Sequence, residues 1–203
     1  GGVRVRAEAI GVGVPDILMR SGNYNWIPPF PFAPGNELAG TVDTVGPDVS
    51  RFRGGERVFV SARELPRRGG GYAEAMVVPA EAPFVLPEGL PAEQAVTLGN
   101  YQLGWLLLNY AAKPRAGQTL VVHAAAGGAG STLVHLARRQ KLTVFGIAGG
   151  AAKVRYVDEL GADAVIDRNA EDIGQRVAEL TGGAGVDFIY DSVTGPDFGK
   201  NFD

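Results

Sequence analysis

The sequence predicts an α/β chain with two unlike halves: a small, mostly antiparallel β domain over 1–92, then a doubly wound parallel sheet over 93–203. Three observations carry this. In the first half, short β-branched runs are separated by turn residues and punctuated by proline, the grammar of a turn-rich β structure. After about residue 92, apolar runs alternate with amphipathic helical stretches, the pattern of parallel β-α-β units whose strands are buried on both faces. Between them, TLVVHAAAGGAG at 119–130 leads straight into STLVHLARRQ. That is a strand, a turn of small residues, then a helix.

In the first half, VRVRAE at 3–8 alternates apolar and charged residues, as a half-buried strand does. VPDILMRSG follows, with Pro15 and Asp16 placed to open a short helix and Gly22 to end it. NWIPPFPFAPG at 25–35 is too rich in proline for either regular element. ELAGTVDTVG, GERVFVSA and GYAEAMVV read as further strands, and Pro79, Pro83, Pro87 and Pro91 mark an extended exit.

In the second half, AEQAVTLGNYQLGWLLLNYAA reads as one or two helices. The order is then TLVVHA, a helix over 130–140, TVFGIA, a helix over 151–160, DAVID, a helix over 170–180, and VDFIYDSV. These are four strands where a doubly wound nucleotide domain usually has six. The last would be left as an apolar edge. With the start at Gly1-Gly2-Val3 already inside a strand pattern, the expectation is an excerpt of a longer polypeptide.

The glycine turn carries the chemistry. Its motif is A-x-G-x-x-G, with Ala125, Gly127 and Gly130 at the three positions. Small residues let backbone approach a ligand, and the free N–H groups at the helix start face negative charge. Between a strand and a helix, the motif predicts dinucleotide binding. Ala126, Gly127, Gly128 and Ala129 are the residues expected at the phosphates.

Composition narrows the classes. A net charge of −3 with no basic face argues against nucleic acid. No window approaches the ~20 apolar residues of a membrane span, and the start shows no signal-peptide pattern. Cysteine is absent, which removes disulfides, thiolate chemistry and cysteine-bearing zinc sites. It fits a reducing compartment, so the expected location is cytoplasmic.

The segments GVGVPDILMRSGNY, FPFAPGNELAGTVDTVGPDVSRFRGGERV, GGYAEAMVVPA, HAAAGGAGSTLVHLAR, LGADAVID and TGGAGVDFIYDSV occur in that order. Together they resemble the medium-chain dehydrogenase/reductase superfamily, in particular its zinc-independent quinone oxidoreductase branch. The resemblance spans nearly the whole chain. It implies a GroES-like β domain followed by a Rossmann domain, here truncated, with segments missing at the start and, more extensively, at the end.

The resemblance and the residues together point to NADPH. NAD-binding domains place an Asp or Glu ~20 residues past the glycine turn, on the ribose hydroxyls. Here the second strand ends VFGIAGG, and no carboxylate lies between Lys141 and Val157. Gly149 stands at the strand end, with Lys153, Arg155 and Arg168 nearby. A cationic cluster without a carboxylate suits a 2′-phosphate, each charge-assisted contact contributing ~1.5–3 kcal/mol. Family members have a lysine matching Lys153 and a tyrosine where Arg168 stands. Arg155 is expected to be a solvated charge. Ser192 and Val193, at the end of the fourth strand, match where relatives pass the nicotinamide end.

Zinc-dependent relatives place a cysteine near Gly11–Gly13 and a His-Glu pair where this chain has Asn36-Glu37. Only Glu37 is retained, and one carboxylate cannot hold Zn²⁺. No metal is expected, and Glu37 is expected to be structural. Without a Lewis acid, a plain ketone is a poor hydride acceptor. Quinones and α,β-unsaturated carbonyls spread the charge, so a few hydrogen-bond donors suffice. Tyr24 and Asp16 are the candidate catalytic residues, on a segment that lines the cleft in relatives, with Arg20 expected in an ion pair. The chain departs from the family at Gly13, where asparagine is common, and at Leu103-Gly104, where Thr-Ala is common. His123 and His135 are expected to pack or cap, and Trp26 and Phe30 to anchor their loop.

The expected function is NADPH-dependent hydride transfer to a quinone or enone, a small-molecule substrate, by a protein that forms a homodimer when full-length. Two alternatives stand beside it. One is an enoyl reductase module of a polyketide synthase. The other is an NADPH-binding structural protein with little turnover.

Overall fold

A computed structural model describes residues 1–194 and 198–199. The chain divides into two compact units, Gly1–Gly99 and Asn100–Asp203. The sequence pattern changes near residue 92. The stretch that follows packs with the first unit, because buried Ala95, with Val96 and Leu98, joins the apolar cluster of Ala39, Phe59 and Leu86.

The first unit is a five-stranded antiparallel sheet. Its strands are β1 (Gly2–Gly11), β2 (Glu37–Val45), β3 (Arg57–Ser61), β4 (Ala75–Pro79) and β5 (Phe84–Val85), in the order β4-β1-β2-β3-β5. Alternation explains β1: Val3 and Val5 are fully buried while Arg4 and Arg6 face solvent. Those valines pack with Leu38, Val42, Phe52, Val58, Val60 and Val78 as one core. Helix α1 (Val14–Arg20) has Pro15 in its first turn and buries Met19 and Asp16. A four-residue helix, α2 (Ala92–Ala95), ends the extended exit, within which the short strand β5 was not anticipated.

The second unit is a parallel sheet of β6 (Thr119–Val122), β7 (Thr143–Ala148), β8 (Ala164–Asp167) and β9 (Phe188–Tyr190), in the order β8-β7-β6-β9. In chain order this is 3-2-1-4, the doubly wound arrangement. Helix α3 (Leu98–Leu106) runs into a π-helical turn, Leu107–Ala112, that stops at left-handed Lys113. Helices α4 (Gly128–Arg139), α5 (Ala151–Glu159) and α6 (Ile173–Thr181) follow β6, β7 and β8. Leu133, Val134 and Ala137 of α4 are fully buried in the core with Leu120, Val122 and Val144. Asp172 caps α6 by accepting from the Gln175 N–H at 2.9 Å, and Gly182 ends it at φ +61°. No helix among the described residues is long and apolar enough to cross a membrane.

The first unit is thus GroES-like and the second Rossmann-like, as the sequence predicts.

Candidate functional site

The glycine turn forms as the motif requires. The Ala125 N–H donates to the Ile147 carbonyl at 2.9 Å and the Gly127 N–H to that of Ala124 at 2.8 Å, which ties the turn to β7 and closes it. Gly127 precedes α4 in extended conformation with no side-chain cap, and the first turn of α4 holds no acidic residue. The first N–H groups of a helix have no intrahelical acceptor, so those of Gly128, Ala129 and Gly130 are available to an anion. A Cβ on Gly130 would lie 2.3 Å from the Ala124 carbonyl oxygen, so only glycine lets α4 start this close to the turn. Asn100 of α3 borders the same place, its Nδ2 2.7 Å from where a Cβ on Gly128 would stand.

The end of β7 forms a second cradle. Gly149 lets two side chains come close: an added Cβ would stand 3.0 Å from Arg168 Nε and 3.2–3.4 Å from the Asn169 carboxamide. Gly150 follows at φ +88° and caps α5, its carbonyl accepting from the Lys153 N–H at 3.0 Å. Lys153 and Arg168 are exposed, and neither makes an ion pair among the described residues. Asp167 Oδ1 accepts from the N–H groups of Gly150 and Asn169, both at 3.0 Å. Those two bonds hold its carboxyl below the usual carboxylate range. Gly149 and Arg168 therefore lie on two loops that Asp167 ties together, with Lys153 in the first turn of α5. Sequence reasoning missed Asp167, Asn169 and Asn100. Asp167 left a signal, a carboxylate closing a strand. Asn100 left none, because its neighbour is a distant segment of the chain.

Ser192 and Val193 do not end a buried strand. The strand stops at Tyr190, both residues are exposed, and the Val193 and Thr194 N–H groups donate to Asp191 Oδ1 at 2.8 and 3.0 Å. The side-chain acceptor turns the chain out of the sheet.

In the first unit, Asp16 is buried rather than presented to solvent. It accepts from the Gly13 N–H at 2.9 Å, the Gly35 N–H at 3.0 Å and Asn36 Nδ2 at 3.1 Å. Such an acceptor fixes the start of α1 and the end of the proline-rich loop. Beside it, burial and then the Asp16 charge push the Tyr72 hydroxyl above its ordinary value. Glu37 is buried and pairs with Arg63. Burial raises its carboxyl above the ordinary value and outweighs the opposing Arg63. Tyr24 is half-buried, edge-on to Trp26 with ring centroids 5.5 Å apart. Arg20 has no ion pair among the described residues.

The remaining positions resolve simply. A Cβ on Gly104 would meet Thr132 Cγ2 and Leu136 Cδ1, each at 3.2 Å, so this glycine lets α3 and α4 approach. Gly13 contributes its N–H to Asp16. His135 Nδ1 shares a 2.8 Å hydrogen bond with the Tyr101 hydroxyl. The His123 N–H donates to the Tyr190 carbonyl at 2.8 Å, joining the ends of β6 and β9. Among the described residues, no group of three or more His, Cys, Asp or Glu could hold a metal ion.

Known proteins share this layout. The alcohol dehydrogenase GroES-like domain family matches residues 1–88, and the zinc-binding dehydrogenase family matches residues 128–202. A quinone oxidoreductase-like protein 2 homolog of Nematostella vectensis is 37% identical over 201 residues, covering 97% of this chain and 53% of its own. The synaptic vesicle membrane protein VAT-1 homolog of Rattus norvegicus is 34% identical over 204 residues, covering 100% of this chain and 49% of its own. The crystal structure of Escherichia coli quinone oxidoreductase complexed with NADPH superposes with a TM-score of 0.90. It shares 30% identity and covers 98% of this chain and 60% of that one. The chain therefore spans about half to three-fifths of the length of these relatives. With a GroES-like sheet, a 3-2-1-4 parallel sheet and a glycine turn between β6 and α4, and with both domain families matched in order, the chain belongs to the medium-chain dehydrogenase/reductase superfamily.

Proposed function

We propose that this chain is part of an NADPH-dependent oxidoreductase that passes a hydride to a quinone or an α,β-unsaturated carbonyl without zinc, acting as a homodimer in its intact form. The surround of Gly149 carries the cofactor reading. Gly149 lies where an NAD-binding domain has a carboxylate, and here it is bordered by Arg168 and Asn169 with Lys153 in the first turn of α5. A 2′-phosphate suits that surround. The uncapped start of α4 suits a pyrophosphate. Ala126, Gly127, Gly128 and Ala129 would hold the phosphates, and Gly149, Lys153 and Arg168 the adenosine end. The NADPH complex of the E. coli relative supports the same reading.

When bound, NADPH supplies the hydride. The chain's own residues do the rest. Tyr24 offers a hydroxyl donor to a developing oxyanion. Asp16 acts as a positioning residue, since its oxygens are already taken by Gly13, Gly35 and Asn36. Ser192 and Val193 lie exposed beyond β9 and remain candidates for the nicotinamide end. The donor set argues against zinc: the chain has no cysteine, and the Glu37 carboxylate is committed to Arg63. A conjugated acceptor, which disperses its own charge, then fits better than a plain ketone.

Replacing Lys153 with Ala tests this. One charge-assisted contact on an exposed lysine contributes about 1.5 kcal/mol, so NADPH should bind about tenfold more weakly and NADH nearly unchanged. Fluorescence titration of both nucleotides reads the difference; equal losses would remove the 2′-phosphate role. On the intact polypeptide, a panel of quinones and enones should oxidise bound NADPH, and metal analysis should find no stoichiometric zinc. Tight binding without oxidation by any of them would instead favour a nucleotide-binding protein.

A further inference from the structure

The first unit carries an open groove of about 540 Å³ that none of the residues assigned above lines. It lies between the proline-rich loop, the 65–70 loop and strand β4, and β4 is an edge of its sheet. Phe32, Leu65, Met76 and Pro79 supply apolar lining, and Arg67 and Arg68 supply charge. The walls are tied together, because the Gly70 N–H donates to the Ala33 carbonyl at 2.7 Å.

Both guanidinium groups are held in place. Arg67 Nη2 donates to the carbonyls of Pro31 at 3.0 Å and Pro29 at 3.5 Å. The Arg68 guanidinium lies over the Trp26 ring, 4.9 Å from its centroid. Neither arginine pairs with a carboxylate among the described residues. A small inorganic anion would leave the apolar lining wet, and a neutral hydrocarbon would leave the arginines unanswered. A ligand with one anionic end and an apolar body answers both.

We propose that this groove is a binding site for a soluble carboxylate with a short acyl or aryl body. Its lining residues all belong to the first unit, and the proposal does not depend on the function proposed above.

Octanoate is the probe. It is titrated into the whole ¹⁵N-labelled chain, with octanol as the neutral comparison. Saturable shifts are expected at the amides of Phe32, Ala33, Gly70, Met76 and Val77, with octanol much weaker. The double variant Arg67→Gln/Arg68→Gln should bind octanoate about tenfold more weakly, the loss expected from two surface ion pairs. Arg67→Lys/Arg68→Lys should retain an intermediate affinity. If the glutamine variant misfolds by circular dichroism, the octanoate–octanol difference on the unmodified chain decides. Phosphatidylglycerol vesicles should not bind. The proposal is overturned by non-saturable or displaced shifts, by equal octanol binding, by an undiminished glutamine variant, or by vesicle binding without octanoate binding.

Discussion

Gly149 has no side chain, and Arg168 Nε and the Asn169 carboxamide lie close against it. The proposed cofactor preference therefore turns on one position. Its backbone is not left-handed, unlike that of Gly150 at φ +88°, so a side chain here meets neighbours rather than backbone strain. Gly149→Asp would place a carboxylate beside Arg168, neutralise part of the cationic surround and repel a 2′-phosphate. The ratio of NADPH to NADH affinity should fall by about tenfold or more, since a charge-assisted contact contributes ~1.5–3 kcal/mol. Fluorescence titration of both nucleotides measures it, and an unchanged ratio would place the discriminating contacts elsewhere. Gly149, Lys153 and Arg168 were legible because each follows a strand end within a few residues of sequence. Pro15 and Asp16 mark the start of α1 in the sequence, but the Asp16 oxygens also accept from Gly35 and Asn36, and no local pattern reveals a buried polar contact across twenty residues.

Among the elements, the start of α4 has little room to spare. An alanine at Gly130 would put Cβ 2.3 Å from the Ala124 carbonyl oxygen and 2.8 Å from Ala125 Cα. Both are backbone atoms of the turn, and Ala124 is itself left-handed at φ +48°, so neither yields as a side chain would. Gly130→Ala should force α4 away from β6, destabilising the second unit by about 1–3 kcal/mol. Since Gly128 and Ala129 move with the helix, NADPH binding should weaken too. Urea denaturation and nucleotide titration should report the two losses together; an unchanged midpoint would mean that the helix shifts freely. The elements themselves were largely legible. Alternation marked β1, continuous apolar runs marked β6 and β7, and the glycine turn marked α4, although it begins at Gly128 rather than 130. Two features escaped. The π-helical turn at Leu107–Ala112, LLNYAA, lies in a mostly apolar stretch that gives no clear period to read. The end of β9 comes early because Asp191 captures the next amides, a local competition hidden inside an apolar run.

Across the whole molecule, acid acts with opposite sign on the two units. In the second unit, Asp167 is held low by the N–H groups of Gly150 and Asn169, and Asp187 by the Thr119 N–H and the Gln118 carboxamide. A depressed carboxyl stabilises the fold above its unfolded pKa of about 3.9, and that stability is lost as pH falls through the lower folded value. Asp187 joins β9 to β6 through its 2.7 Å bond with Thr119, so its protonation loosens an edge of the parallel sheet. In the first unit, Glu37 is raised by burial. Its protonated form is favoured by folding, so that contribution is greatest below about pH 4.3 and is lost as pH rises through the raised value. Each unit carries one tryptophan, Trp26 in the first and Trp105 in the second. Trp26→Phe leaves a reporter in the second unit, and Trp105→Phe leaves one in the first. Urea midpoints followed by fluorescence should separate as pH is lowered from 7 to 3, with the second unit falling first. Asp187→Asn, which keeps an acceptor but removes the charge, should flatten the second unit's loss below pH 4. Parallel midpoints over that range would mean that general charge repulsion, acting on both units alike, outweighs these three carboxyls.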